Sequence, residues 1–496
     1  MPDDLVLAAE FPTASIEEWR SLVSKIVAKS GAEFPADAPE QALASTTADG
    51  IPIAPLYAND PTAELGLPGQ APYVRGRTAN GNRTGWDVTT RVAHPDAKAA
   101  NDQVLEDLAA GASSVWLVVG EGGVPAADLR TALDGVMLNV APVTLDAGVN
   151  GRTVAADYLA LLQERRTEFL EADGSFGLDP YGVLARTGDL HLDLNENHAL
   201  AAVAMKTAFS YRNMRTFTAD ATIYHDAGAT DVEELGIALA TGVEYLRLLT
   251  EHGGMHAGIA FSQIDFRYAA TADQFATIAK LRAARRMWSR IAELSRLDAP
   301  SVGQRQHVVT SWPMTTRQDP WTNILRGTLA CFGACVGGAD SITVTPFDAA
   351  LGLSDPLARR IARNTPNLLV EESHIAAVID PAGGSGYVEA LTDAMAHDAW
   401  KVFTEIEAGG RIEAVLRDGS LAERIAASRE KRLAAIAAGD EPILGVTLHP
   451  NPAETPLERP PAPSPPGGGL PRIRWAEALE NAALNGSTQE ATDGTR

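Results

Sequence analysis

Few side chains in this chain have a type and spacing that could hold a metal ion. Cys331 and Cys335 lie four residues apart in a helix-like run, which places both on one face of a helix. They read as small core residues rather than a metal pair. His252 and His256 have the same spacing but bracket two glycines, which predicts a loop. The sequence therefore predicts no metal centre.

The glycine-rich segments do not match a phosphate-binding loop, and no serine matches the nucleophile motif of the hydrolases. The segments 120–123 (GEGG) and 383–386 (GGSG) lack the lysine of a phosphate-binding loop, so we interpret them as turns. No Gly-x-Ser-x-Gly motif of the serine hydrolases is present.

A basic run lies within one predicted helix and contains Lys280, Arg282 and Arg285. We expect a solvated or ion-paired helix face. Contact with another subunit is the alternative.

Charge and composition limit the partners. The chain has 496 residues and a net charge of −23, which argues against nucleic acid because phosphate binding needs a basic surface. The N-terminal residues lack the pattern of a signal peptide, and no apolar run is long enough to cross a membrane. We expect a cytoplasmic protein.

The elements that would position a site alternate between β-rich and helical runs from residue 113 onward. Candidate strands are 113–119, 135–142, 216–223, 258–264, 307–311 and 341–345, and candidate helices are 232–250, 273–297 and 323–336. Several strands are continuously apolar, as in parallel sheets that are covered on both faces. Alternation predicts βα units in a barrel or a doubly wound sheet, and length favours a (β/α)8 TIM barrel in the α/β class.

The two ends of the chain differ from this middle part. Residues 1–60 are predicted as an N-terminal helical arm, with an amphipathic helix near 11–30 whose N-cap is Ser15. The arm could pack on its own domain or contact another subunit. The predicted barrel domain spans 61–445. Residues 446–496 are predicted as a Pro/Gly-rich linker, a short helix at 473–484 and a disordered tail.

Four blocks resemble the B12-dependent acyl-CoA mutases of the methylmalonyl-CoA mutase family. They are 279–288 (AKLRAARRMW), 311–326 (SWPMTTRQDPWTNILR), 359–373 (RRIARNTPNLLVEES) and 380–389 (DPAGGSGYVE). The resemblance covers most of 85–445. It implies a (β/α)8 barrel with an acyl-CoA threaded along its axis, and a radical rearrangement whose hard step belongs to adenosylcobalamin.

Residues that would carry catalysis in that family are replaced in this chain. In the run 86–95 (WDVTTRVAHP), Arg91 replaces a tyrosine that lies between cobalamin and substrate in catalytic chains. Ile223 occupies the position of a histidine that would bond to the substrate carbonyl. His225, two residues further on, is a weak candidate for that role, because residues two apart on a strand face the same way. An arginine for the substrate carboxylate has no clear counterpart, although Arg186 is nearby.

Later blocks continue this pattern. Val309 replaces a glutamine, Trp312 replaces a glycine where open barrel space would be needed, and Ala349 replaces a glutamate. The family's cobalt-ligating Asp-x-His-x-x-Gly motif has no good match, since the run at 189–194 (DLHLDL) lacks the glycine. We therefore expect no catalytic residue, cofactor site or C-terminal cobalamin domain on this chain.

The resemblance as a whole points to a non-catalytic small (β) subunit. Its expected partner is a catalytic large subunit that carries adenosylcobalamin, in a heterodimer that interconverts methylmalonyl-CoA and succinyl-CoA. Residual weak binding of acyl-CoA stays open. Two alternatives remain: a catalytic subunit that uses a separate cobalamin-binding protein, or a stand-alone CoA-thioester-binding or regulatory protein.

Overall fold

The computed structural model describes residues 10–482, apart from 13, 31–34, 36, 59–65, 191–193, 298–301 and 465. The chain divides into two compact units, Met1–Thr62 and Ala63–Arg496. The predicted disordered tail from residue 485 lies outside the described residues, as does His191 of the Asp-x-His run.

The first unit contains one amphipathic helix and a small antiparallel hairpin. Helix α1 is Ile16–Ser30, and strands β1 and β2 are Ser45–Thr46 and Pro52–Ile53. The Ser15 hydroxyl accepts a hydrogen bond from the Glu18 backbone, and the Glu18 carboxylate accepts one from the Ser15 backbone. This reciprocal cap confirms the predicted start of the helix.

The second unit is an eight-stranded parallel barrel. Its strands are β3 Asp87–Val92, β4 Ser114–Val118, β5 Val143–Asp146, β6 Asp173–Leu178, β7 Asn213–Asp220, β8 Ile264–Ala270, β9 Gln306–Thr310 and β10 Ser341–Thr343. They pair in the closed order β10-β3-β4-β5-β6-β7-β8-β9. The predicted (β/α)8 barrel is confirmed.

Helices connect and follow these strands. They are α2 Ala97–Ala109, α3 Leu129–Ala132, α4 Gly151–Glu164, α5 Pro180–Thr187, α6 Leu194–Ser210, α7 Thr222–Asp226, α8 Asp231–Arg247, α9 Ala257–Phe261, α10 Gln274–Leu294, α11 Thr322–Val336, α12 Pro356–Glu371, α13 Gly386–Ala408, α14 Arg411–Arg417 and α15 Ser420–Ala438. Within the described residues, no helix combines the length and apolar character needed to span a bilayer.

Local sequence explains where the long helices begin. Asp273 and Asp355 cap α10 and α12 by accepting hydrogen bonds from the backbone three residues on, and Pro356 suits the first turn of α12. Thr230 and Glu233 form a reciprocal capping box at the start of α8.

Some predicted strands are misplaced. Residues 135–142 form a turn ahead of β5, and most of 258–264 is helix α9 rather than strand. Strands β3 and β6 were not predicted. Both carry polar residues at alternate positions, because those residues face a polar barrel interior instead of an apolar core.

Candidate functional site: the barrel axis and its mouth

Side chains from opposite walls of the barrel meet on its axis. Strands β4 and β8 lie four positions apart in the ring of eight, so they face each other across the interior. The Arg267 guanidinium on β8 nevertheless lies 4.0 Å from the centre of the Trp116 ring on β4. Both side chains are buried. A contact at this distance leaves no room for a ligand chain between them.

Arg267 is held in this position by a buried polar network. It donates to the Asp220 carboxylate over 2.7 Å and to Nδ1 of His307 over 3.0 Å. Since Nδ1 accepts, the Nε2–H of His307 donates to the Thr343 hydroxyl at 2.9 Å. Burial, and then the charge of Arg267, lowers the pKa of His307 well below its ordinary 6.5, so the imidazole stays neutral.

The end of the barrel where the strands begin is closed by ion pairs. Acidic and basic side chains from the strands and from the segments before them pair there: Arg305 with Asp173 at 2.9 Å, Arg77 with Asp340 at 2.8 Å, and Arg215 with Asp265 at 3.7 Å. This end therefore resembles the middle of the barrel, because charged side chains are paired there too.

At the opposite end, the mouth, Arg91 lies where the resemblance places the lost tyrosine. Part of Arg91 is exposed, and its guanidinium sits 4.9 Å from the Trp116 ring. Burial of the guanidinium by its neighbours, and then the charge of Arg472, lowers the pKa of Arg91 to about 10. Arg186 also lies at the mouth, but its charge is matched by Asp220 at 3.2 Å and Asp146 at 3.5 Å.

The other replaced positions gather at the same end of the barrel. Ile223 is buried on α7, Val309 lies near the end of β9, and Ala349 follows β10. None of these three side chains can donate or accept a hydrogen bond. The structure therefore brings the predicted positions together, while their lack of a catalytic role stays a prediction.

His225 is turned into a buried cluster behind the strand ends. Its Nε2 lies 2.7 Å from the Ser311 hydroxyl and its Nδ1 lies 3.4 Å from the Glu234 carboxylate on α8. Only 3% of the residue is exposed. This histidine bridges α8 and the residue after β9, as a structural side chain does.

Glu234, Asp231 and His225 could be read as a metal site, because their ligand atoms lie within 4.8 Å of one another. The Lys280 ammonium already occupies that place, at 2.7 Å from both carboxylates. Burial alone would lower the pKa of Lys280. The two carboxylates outweigh this effect, so the pKa of Lys280 is raised above its ordinary value. The cluster has its own internal cation.

The basic run was expected to be a solvated or ion-paired helix face; the ion pairing is confirmed, and the solvated alternative was wrong. Lys280, Arg282 and Arg285 are all buried in α10. Arg282 pairs with Asp380 and Glu389, and Arg285 donates to backbone carbonyls in the segment before β3 and to the Gln306 side chain. The block is ion-paired in the interior rather than at the surface. The signal available in the sequence was the apolar residues that surround these cations in α10.

The C-terminal segment runs along the rim of the mouth. The backbone amides of Gly469, Ile473 and Trp475 donate to carbonyls that follow β6, β7 and β9. Arg472 bonds to Asp226 at 3.0 Å and stacks 3.8 Å from the Trp312 ring. The indole that replaces the family's glycine therefore supports this segment.

The part of the chain predicted as a linker is also attached to the barrel. Arg459 bonds to Asp348 at 2.5 Å and to Asp355 at 2.7 Å, and Leu353 donates to the Pro460 carbonyl. The described part of the predicted short helix is helical at 477–482. The Pro/Gly-rich segment has no hydrophobic core of its own, and its contacts with the barrel surface hold it in place.

Comparison with known proteins identifies the family of the chain. The family model for methylmalonyl-CoA mutase matches residues 117–463. The chain belongs to the methylmalonyl-CoA mutase family. The match includes β5 to β10 and ends at residue 463, before the rim residues 469–475.

Several similar curated proteins are named as small subunits. The methylmalonyl-CoA mutase small subunit of Streptomyces virginiae is 51% identical over 483 residues, which cover 97% of this chain and 78% of that protein. That of Propionibacterium freudenreichii subsp. shermanii is 39% identical and covers 97% and 75%. A probable small subunit of Mycobacterium tuberculosis is 43% identical and covers 93% and 75%. These similarities confirm the predicted resemblance to the small subunits of the family.

Proposed function

We propose that this chain is the non-catalytic small subunit of a heterodimeric, adenosylcobalamin-dependent methylmalonyl-CoA mutase. The complex interconverts methylmalonyl-CoA and succinyl-CoA in the cytoplasm. The catalytic large subunit holds the cofactor and the substrate, and this chain stabilises it.

The contact of Arg267 with Trp116 across the barrel carries this proposal. An acyl-CoA threaded along the axis needs the space that these two side chains and His307 fill. Displacing them would separate Arg267 from Asp220 in the interior, and breaking a buried ion pair costs several kcal/mol. Weak acyl-CoA binding could therefore occur only outside the axis.

The residues at the mouth do not fit a cobalamin-dependent site. Adenosylcobalamin supplies the radical chemistry of such mutases. The charged side chain of Arg91 takes the place of the aromatic wedge, and His225 is committed to Ser311. Arg472 and its neighbours also cover the rim. This disagreement favours a large subunit as the holder of the cofactor.

The two alternatives are less well supported by the geometry. A catalytic subunit with a separate cobalamin-binding protein would still need an open axis. A stand-alone CoA-thioester-binding protein that threads its ligand along the axis would need the same channel.

Co-purification with the large subunit and a turnover assay test the proposal. We expect a stable complex that turns over methylmalonyl-CoA with adenosylcobalamin, and no turnover by this chain alone. The large subunit alone is the control, and it should lose activity faster on heating than the complex. Robust turnover by the isolated chain, or no complex with the large subunit, would contradict the proposal.

A further inference from the structure

One face of the barrel exposes large apolar side chains. Trp321, Leu325 and Leu329 lie at positions i, i+4 and i+8 of α11 and its start, so they share one side of the helix. Leu325 is 61% exposed and Trp321 is 47% exposed. On a soluble helix this side would normally be polar.

The neighbouring helix extends this apolar surface. Leu357 and Leu368 of α12 are both about half exposed. Between the two helices lies a groove of about 210 Å³ that is lined by Ile324 from α11 and Ile361 from α12. The groove joins the two helices into one surface.

A turn after α15 adds further leucines. The Arg326 guanidinium on α11 donates to the Leu444 carbonyl at 2.5 Å, which holds the turn against the helix. The side chains of Leu444 and Leu448 are also exposed. We call the set of seven exposed residues the α11–α12 face: Trp321, Leu325, Leu329, Leu357, Leu368, Leu444 and Leu448.

The α11–α12 face is large enough for a stable interface. If a half-exposed large side chain offers roughly 80–100 Å², seven give roughly 600 Å², close to the about 800 Å² that each partner contributes to a standard interface. Apolar patches of this size on a folded protein mark interaction sites.

Charge on the face indicates what the partner presents. Arg360 is exposed on α12 and, within the described part of the chain, no side chain pairs with it, whereas Arg359 and Arg363 pair with Glu106 and Asp107. A partner with a carboxylate beside an apolar patch would satisfy Arg360.

We infer that the α11–α12 face is the surface by which this chain binds the catalytic large subunit. The large subunit would cover it with apolar side chains and place an aspartate or glutamate opposite Arg360. This inference rests on the proposed function, because that function supplies the partner. The net charge of −23 also disfavours self-association of two copies.

The test compares Leu325→Asp with the matched control Leu170→Asp. Leu170 is 60% exposed and lies before β6, on the other side of the barrel from β10. Affinity for the large subunit from the same organism is measured by surface binding with wild type and both variants. We expect at least a tenfold loss for Leu325→Asp, a smaller loss for Arg360→Glu, and little change for Leu170→Asp. Unchanged thermal unfolding of the isolated variants shows that they fold.

Hydrogen exchange of the complex provides a second readout. Amides of α11 and α12 should exchange more slowly when the large subunit is bound. If wild type binds and Leu325→Asp binds equally well, the inference is overturned while the proposed function stands. If wild type fails to bind, both fail. A homodimer that Leu325→Asp dissociates would overturn the large subunit as the occupant of the face.

Discussion

The barrel axis and the α11–α12 face reverse the usual distribution of polar and apolar side chains. The axis holds Arg267, Asp220 and His307, each at most 8% exposed. The face holds leucines and a tryptophan that are each about half exposed. Each arrangement costs free energy unless a partner compensates it.

The difference between the two regions is where that partner lies. On the axis, every charge finds its counterpart within the same chain, as Arg267 does at 2.7 Å from Asp220. On the face, none of the described residues shields the exposed apolar side chains from solvent, and none of them provides a counter-ion for Arg360. The axis is therefore complete in itself, whereas the face is suited to another protein.

Breaking the ion pair on the axis should have the largest effect. Asp220→Ala leaves Arg267 buried without its carboxylate, and we expect a loss of about 3–5 kcal/mol in the free energy of unfolding. Denaturant unfolding of the isolated chain measures it. The control is Asp102→Ala, which removes an exposed i,i+4 pair with Lys98 and should cost within about 0.5 kcal/mol. Equal effects of the two variants would show that the axis does not depend on its own pairing.

Removing the indole from the axis should be nearly as costly. Trp116→Ala creates a cavity beneath Arg267 and should lower the free energy of unfolding by about 3–4 kcal/mol. We also expect no mutase turnover from this variant with adenosylcobalamin, because the catalytic positions remain replaced. Turnover after this single change would mean that the filled axis alone suppresses activity.

The third prediction concerns acid and His307. The folded chain keeps this histidine neutral because burial lowers its pKa well below 6.5, while the unfolded chain protonates it near that value. The unfolded state therefore binds more protons below pH 6.5. The contribution of His307 to stability is present above pH 6.5 and is lost as the pH falls through the folded-state pKa.

Unfolding curves of wild type and His307→Gln, measured at about pH 5 to 8, isolate this contribution. The difference in unfolding free energy between the two proteins should shrink as the pH falls below 6.5. A difference that stays constant with pH would refute the neutral state of His307.

The smallest effect on folding is expected on the α11–α12 face. Leu325→Asp in the isolated chain should change the free energy of unfolding by within about 0.5 kcal/mol, because the side chain is mostly exposed. The same change should weaken binding to the large subunit at least tenfold. A large loss of stability would instead mean that Leu325 belongs to the core of this chain.

Much of the fold could be predicted from the sequence. The helix at α10 and the strands β4, β9 and β10 lie within a few residues of their predicted bounds, because their apolar patterns are strong. Strands β3 and β6 escaped prediction because their polar residues face the barrel interior. That interior is polar only because side chains from distant strands pair within it.

The location of the candidate site could be predicted from the sequence, but the side-chain contacts that fill the barrel axis could not. The family resemblance located Arg91, Ile223, Val309 and Ala349, and the structure places them at one end of the barrel. The contact between Trp116 and Arg267 carries no signal in the sequence, since the two residues lie far apart along the chain.

By itself, the sequence determined the family and the (β/α)8 class, since blocks of consecutive residues and their periodicity carry that information, and it predicted that the family's catalytic residues are replaced. Only the tertiary structure decided that the axis is filled, that Lys280 is buried between two carboxylates, and that the segment after 446 follows the rim of the mouth. These facts depend on contacts between residues distant in the chain, and barrel closure alone brings such residues together.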